Sequence, residues 1–151
     1  MRSTNKGTGQ YIASENTDSY RMTPTQIPPD VREFVRREIK SVVQLEVLLL
    51  LHRTRERAWT VVEVSQELGI DPEIAETPLL SLEQLGVIRI AETTPISYQY
   101  GPTDQTVETT IERLALSYKK QRVAIFSLIL SESNGRIRRF AEAFRLIRGA
   151  D

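Results

Sequence analysis

The chain of 151 residues carries 20 basic and 20 acidic side chains, so its formal net charge is zero and no overall field attracts nucleic acid or anionic lipid. It contains no cysteine, which excludes disulfides and thiolate metal sites and is typical of a cytoplasmic protein. No apolar run is long enough to cross a bilayer, so no membrane partner is expected.

The N-terminal segment, residues 1–27, is rich in Ser, Thr, Asn, Gly and Gln and poor in apolar residues. Such a segment cannot offset the entropy lost on ordering, so we predict a flexible tail. Pro28 and Pro29 mark a rigid boundary, after which Asp30 is expected to cap a helix. The helical pattern continues through residues 42–52, which are apolar nearly all round and therefore predict a helix at the centre of the core.

A capping box predicts the start of the next helix. Thr60 and Glu63 have the spacing at which each side chain bonds the backbone N–H of the other residue. This helix is expected to end at Gly69, because glycine adopts a left-handed C-cap most readily. Asp71 and Pro72 then supply an N-cap and a proline at the first helical position, which predict a third helix.

The third helix is expected to end near Leu85 and to turn three apolar side chains inwards, namely Ile74, Leu82 and Leu85. Pro78 lies inside it and removes one backbone hydrogen bond, at a cost of about 3 kcal/mol if the helix stays regular. A kink or a break at Thr77 is therefore predicted.

Two short β-branched runs follow, separated by a turn over Glu92 to Pro95, and predict a β-hairpin. Beyond it the helical pattern extends from Thr103 to about Glu132, which predicts one helix roughly 40 Å long. Residues 133–135 are expected to form a turn, and residues 136–147 a last helix.

Four motifs lie within Trp59 to Pro102, namely Thr60 to Glu63, Leu68-Gly69-Ile70, Leu79-x-x-Leu82 and Gly86-Val87-Ile88. Together with the order helix, helix, turn, helix, hairpin, helix, they resemble the helix-turn-helix and first wing strand of bacterial MarR-like regulators. The resemblance implies a mainly α fold with a small β-hairpin wing, that is, a winged helix-turn-helix with a long C-terminal helix and a terminal αα-hairpin. The function that it implies is regulation of transcription, with the third helix in the major groove of DNA. The chain is expected to comprise the flexible tail over 1–27, a winged-helix domain over 28–102, and a C-terminal helical hairpin over 103–151 that is a candidate dimerisation element.

Charge is unevenly distributed along the chain. Residues 60–110 contain nine acids and one base, whereas residues 111–151 contain nine bases and four acids. A helix that reads DNA normally offers Arg, Lys, Asn or Gln to the bases, but the third helix offers mainly carboxylates. The leading hypothesis is therefore a non-enzymatic bacterial regulator of transcription-regulator type that acts mainly through protein contacts or as a homodimer. The candidate interaction residues are Glu73, Glu76, Thr77, Glu83, Ile125, Leu128, Phe140 and Phe144.

The alternative is a sequence-specific, repressor-like DNA-binding protein. Its candidate DNA and phosphate contacts are Arg53, Arg55, Arg57, Thr77, Ser81, Gln84, Arg136, Arg138 and Arg139. The opposite charges of the two segments also suggest that the acidic domain docks on the basic C-terminal hairpin, within one chain or across a dimer. The C-terminal helix itself could lie on an anionic membrane, bind phosphates, dock on an acidic protein surface or pack on the preceding helix as an αα-hairpin.

An enzyme is the third and weakest class. His52 is the single histidine and is interpreted as a cation at a helix end, while Glu73 and Glu76 are interpreted as a solvated face. Trp59, Tyr98 and Tyr100 could stack on bases, but Trp59 is expected to pack under the capping box and one of the tyrosines against the first helix. No catalytic residue, metal, cofactor or small-molecule ligand is predicted.

Overall fold

A computed structural model describes residues 26–132 and residue 135. This part of the chain is mainly helical, with a small three-stranded antiparallel sheet. Its elements in chain order are α1 (Pro29–Glu38), α2 (Val42–Arg53), β1 (Trp59–Thr60), α3 (Val61–Leu68), α4 (Pro72–Leu85), β2 (Ile88–Thr93), β3 (Ile96–Tyr100), α5 (Gln105–Lys120) and α6 over residues 122–132. The predicted helix-rich fold with a β-hairpin is confirmed.

The fold begins earlier than predicted, because Ile27, assigned to the tail, is buried in the core. Residues 1–25 lie outside the described part of the chain. The expected cap at Asp30 is wrong, since this residue lies in the first turn of α1 and makes no capping hydrogen bond. Its carboxylate instead accepts a 3.4 Å hydrogen bond from Thr110 Oγ1 and lies 3.3 Å from Arg113 Nε. It therefore ties α1 to α5.

α1 and α2 are separate helices, joined at a buried glutamine. Ile39 ends α1 in an extended conformation, and the Ser41 hydroxyl caps α2 by accepting a hydrogen bond from the Gln44 amide at 3.0 Å. The Gln44 side chain donates to the carbonyl of Glu38 at 3.0 Å and accepts from the amide of Lys40 at 2.7 Å. Because these bonds satisfy the backbone groups freed at the junction, the break can lie beside the core. α2 is buried on nearly all sides, as predicted.

The start of α3 is a capping box, as predicted. The Thr60 amide donates to Glu63 Oε1 at 2.9 Å, and the Glu63 amide donates to Thr60 Oγ1 at 3.2 Å. Gly69 ends α3 with a φ of 69°, the left-handed conformation expected of it. α4 then begins at Pro72, with Asp71 at the N-cap position.

α4 continues without a break through Pro78, so the predicted break at Thr77 is wrong. Pro78 is buried with Ala75, Leu79 and Leu82, and burial of its apolar ring offsets part of the cost of the lost hydrogen bond. The inward direction of Ile74 is also wrong, because this side chain is 49% exposed. It lies roughly 90° around the helix from the centre of the buried face. Leu82 is buried and Leu85 partly buried, as predicted.

The predicted hairpin is confirmed as β2 and β3, and a third strand, β1, was not predicted. The sheet has the order β1-β3-β2, with Trp59 opposite Tyr98. Between β2 and β3 the register shifts, so that Ile90 faces Tyr98 whereas Glu92 faces Ser97. The residue between Ile90 and Glu92 therefore forms a bulge in β2.

The prediction of a single long helix over residues 103–132 is wrong, because the helix is interrupted at Gln121 (φ −138°, ψ 54°). The side chain of Gln121 donates to the carbonyl of Gln26 at 3.0 Å. An unbroken helix would extend beyond a small core, whereas the break allows Ile125 and Ile129 of α6 to be buried in it. Of the turn predicted over residues 133–135, only residue 135 is described, and it is helical.

Candidate functional site

The exposed side of α4 is the first candidate surface, and we call it the α4 face. Its residues are Glu73, Ile74, Glu76, Thr77, Leu80 and Gln84, which are exposed, and Ser81 and Glu83, which are half-buried. The opposite side of α4 packs into the core. α4 contains three carboxylates and no Lys, Arg or His, so the face is acidic along its whole length.

The β-hairpin lies beside the α4 face. β2 packs against α4. Burial raises the pKa of Tyr98 on β3, and the negative charges of Glu83 and Glu76 raise it further. Leu80 lies between these two acids on the same stripe of the helix, at i+4 and i−3. Ile90 of β2, directly opposite Tyr98, is 44% exposed. α4 therefore carries Leu80 between two carboxylates, and the neighbouring hairpin exposes Ile90.

Most of the exposed aliphatic side chains belong to α3, α4 and the hairpin. Eight large aliphatic side chains are exposed in the described part of the chain, and five of them belong to α3, α4 and the hairpin, namely Val62, Ile74, Leu80, Ile90 and Ile96. The other three are Leu116, Val123 and Leu130, on α5 and α6. Single exposed aliphatic residues are ordinary, but several near one face are typical of interaction sites.

Two of the three arginines predicted as phosphate contacts near α2 are already engaged. Arg55 Nη2 donates to Glu112 Oε2 at 2.8 Å. Arg57 lies 3.6 Å from the centroid of the Trp59 ring and 3.7 Å from a carboxylate oxygen of Glu63. A phosphate would have to compete with these partners, so neither arginine is a ready anion contact.

His52 lies at the end of α2, as predicted, and belongs to the same network as Arg55. Its Nε2 is 3.3 Å from Glu112 Oε2, and its ring packs edge-on against Tyr100 at 5.1 Å. The hydrogen bond from Arg55 lowers the pKa of Glu112 most, and the hydrogen bond from His52 lowers it further. Burial raises the pKa of Tyr100 to about 12. These contacts join α2, β3 and α5.

The three aromatic residues that could have stacked on bases are Trp59, Tyr98 and Tyr100. All three are buried, and the Trp59 indole donates to Thr54 Oγ1 at 2.9 Å. Their burial agrees with packing inside the fold instead of stacking on bases.

A cleft of about 400 Å³ between α2 and α5 is the second candidate surface, and we call it the basic cleft. Its apolar and aromatic lining comes from Leu49, Ala115, Leu116 and Tyr118, and its polar lining from the His52 ring and the charged side chains of Arg53, Lys119, Arg122 and Glu112. The guanidinium of Arg122 lies 5.0 Å from the centroid of the Tyr118 ring. The Tyr118 hydroxyl donates to Glu46 Oε2 at 2.6 Å, which fixes the ring as one wall.

The basic cleft was not predicted from the sequence. It exists because Arg53 at the end of α2 lines the same cleft as Lys119 of α5 and Arg122 at the start of α6, and residues so far apart in the chain show no local pattern. The only indication of the cleft in the sequence was the three-residue spacing of Lys119 and Arg122.

Two predicted interaction residues, Ile125 and Leu128, pack against the core of their own chain. Ile125 is completely buried and Leu128 packs against the core, so Ile125 is not available at the surface for a partner. The other C-terminal candidates, Phe140, Phe144, Arg136, Arg138 and Arg139, lie outside the described residues.

Within residues 26–132 and residue 135, no three or more His, Asp or Glu side chains are grouped so that they could hold a metal ion. No helix among them is both long and apolar enough to cross a bilayer.

Comparison with protein-family models, curated proteins and solved structures gives no match. The function therefore has to be inferred from the chain's own residues.

Proposed function

We propose that the chain is a winged helix-turn-helix regulatory protein with no catalytic activity of its own, in which α4 binds a protein instead of the DNA major groove. The order α2-β1-α3-α4-β2-β3 supports the winged helix-turn-helix, with α3 and α4 as the two helices and the hairpin as the wing. The observation that carries the proposal is the α4 face, which exposes carboxylates and aliphatic side chains and has no base.

Electrostatics oppose the entry of α4 into DNA. Duplex DNA carries one negative charge per about 1.7 Å of its axis, and the three glutamates of α4 would approach it to well within a screening length of about 10 Å. Groove-reading helices instead offer donors to guanine and to phosphates. The acidic face therefore disfavours DNA at every step of the approach.

Exposed aliphatic side chains support a protein partner. Ile74 and Leu80 are 49% and 45% exposed and would bury apolar area on a protein surface. The surrounding acids would select a partner whose surface is basic, because complementary charge sets specificity and association rate.

The first test is fluorescence anisotropy of the purified chain with pooled genomic and random duplexes, at salt from about 50 to 200 mM. We expect no sequence-dependent binding. A matched variant, Glu73→Lys with Glu76→Lys, reverses two exposed charges on α4 and is expected to bind DNA more tightly than the wild-type chain. Tight, salt-steep and sequence-dependent binding by the wild-type chain would contradict the proposal.

The second test places a photo-reactive side chain at Thr77, in the α4 face, and cross-links in cells of the native host. A probe at Glu33, which is exposed on α1, serves as the control. We expect a discrete protein adduct from position 77 and not from position 33. An adduct with nucleic acid, or no adduct from position 77, would argue against a protein-binding α4.

A second candidate function, a repressor-like DNA-binding protein, is favoured by one observation. Arg53 and Lys119 are exposed and make no hydrogen bond or ion pair with another described residue. If they contact phosphates, Arg53→Glu should weaken binding uniformly across sequences and lower the salt slope by about one.

A further inference from the structure

We propose that the α4 face of one chain docks into the basic cleft of a second copy of the same chain. This inference rests on the proposed function, in which the α4 face binds a protein, and it names that protein.

The basic cleft has the chemistry to receive an acidic and apolar helix. Arg53 and Lys119 stand at its rim with no hydrogen bond or ion pair to another described residue. Leu116, which is 58% exposed, supplies an apolar wall. The cleft therefore combines positive charge that is not neutralised with apolar area that is not covered.

The α4 face offers the complementary set. Glu73 and Glu76 are exposed and, like the rim bases, make no hydrogen bond or ion pair within the described part of the chain. Leu80 and Ile74 lie on the same face and can cover the apolar wall. Since the whole chain has no net charge, association of two copies brings these opposite charges together without building up a net charge.

The two surfaces of one chain cannot meet. α4 packs its other side, which includes Leu79 and Leu82, against the core around α2, so its acidic side points away from the body that carries the basic cleft. The two surfaces also share no residue. The complementary charges can therefore be paired only between copies, in a reciprocal dimer or a head-to-tail assembly.

The test is sedimentation equilibrium of the full chain and of two charge-reversed variants at low salt. The acid-reversed chain carries Glu73→Lys with Glu76→Lys, and the base-reversed chain carries Arg53→Glu with Lys119→Glu. All four positions are exposed, so circular dichroism should show both variants folded. We expect the wild-type chain to exceed its single-chain mass of 17.3 kDa, and each variant alone to remain at that mass.

An equimolar mixture of the two variants is the decisive sample. In the mixture, the lysines on the α4 face of the acid-reversed chain match the glutamates in the cleft of the base-reversed chain. The native α4 face of the base-reversed chain likewise matches the native basic cleft of the acid-reversed chain, so association should return. A control, Glu33→Lys with Glu56→Lys, makes the same change in net charge as the acid-reversed chain, at exposed acids outside both surfaces. It should associate like the wild-type chain.

The inference is overturned if the wild-type chain stays at 17.3 kDa, if either variant alone still associates, or if the mixture does not. These failures are distinguishable from failure of the proposed function. A monomeric wild-type chain that still gives an adduct with a different protein from Thr77 would keep the proposed function and reject the second copy as partner. No protein adduct from Thr77 would reject both.

Discussion

Glu112 of α5 accepts a 2.8 Å hydrogen bond from the guanidinium of Arg55, which follows α2 by two residues in the chain and lies 57 positions before its partner. The same carboxylate lies 3.3 Å from His52 Nε2. One side chain thereby joins the end of α2 to the middle of α5.

The pairing of Glu112 predicts a loss of stability in acid. Because the pKa of Glu112 is lowered in the folded chain, its stabilising effect is present above the ordinary value of 4.5 and is lost as the pH falls through the lower, folded value. The carboxylate is half-exposed, so we expect less than about 1 kcal/mol. Urea unfolding at neutral and acid pH should show a smaller acid loss in Glu112→Gln. Glu33→Gln is the control, and an acid loss unchanged in Glu112→Gln would contradict the prediction.

The raised pKa of Tyr100 predicts a loss of stability in alkali. Its pKa is raised by burial from 10.0 to about 12, so its contribution is present below pH 10 and is lost as the pH rises through about 12, by an amount on the order of 2 kcal/mol. Its hydroxyl has no hydrogen-bond partner among the described residues. Tyr100→Phe should therefore be at least as stable as the wild-type chain at neutral pH, and should lose less stability between pH 10 and pH 12. A marked loss at neutral pH would show that the hydroxyl has a partner.

The capping box predicts a modest and specific loss of stability. Thr60→Ala removes the oxygen that accepts the Glu63 amide, and loss of such a cap costs about 1 kcal/mol. Thr60→Ser keeps the oxygen and should be nearly neutral. Thermal unfolding of the two variants, compared with the wild-type chain, measures the difference. Equal losses would assign the role of Thr60 to its methyl group and not to its hydroxyl.

Neighbouring residues of α6 predict contrasting effects of truncation. Ile125 is completely buried and Val123 is 76% exposed. Ile125→Ala should cost about 2–5 kcal/mol by leaving a cavity, whereas Val123→Ala should cost little. Urea unfolding of both variants makes the comparison. Similar small effects would indicate that α6 does not pack on the core.

Local signals in the sequence predicted those parts of the fold that depend on neighbouring residues. The capping box at Thr60, the left-handed Gly69 and the hairpin all follow from side chains within a few positions of one another. The break at Gln121 could not be predicted from neighbouring residues, because it depends on burial of Ile125 against a distant part of the chain. The strand at Trp59 is only two residues long, which is too short for a periodic pattern, and it becomes visible only when β3 pairs with it.

The candidate surfaces divide in the same way. The acids of α4 were predicted because helical spacing alone turns Glu73 and Glu76 outwards, as the structure confirms. Ile74 was predicted on the wrong side of α4. Helical spacing alone does not show that the buried face is centred on Ala75 and Leu79. The basic cleft depends on tertiary contact between α2 and α5 and therefore had no counterpart in the sequence pattern.

The bulge in β2 has a consequence for the behaviour of the chain in concentrated solution. β2 is an edge strand, and a regular edge offers evenly spaced backbone donors and acceptors on which a strand of another molecule can grow. The shift of register between Ile90 and Glu92 interrupts that spacing, and Glu92 adds a charge within the strand. The hairpin can thus expose Ile90 and Ile96 for recognition while resisting the edge-to-edge growth that leads to fibrils.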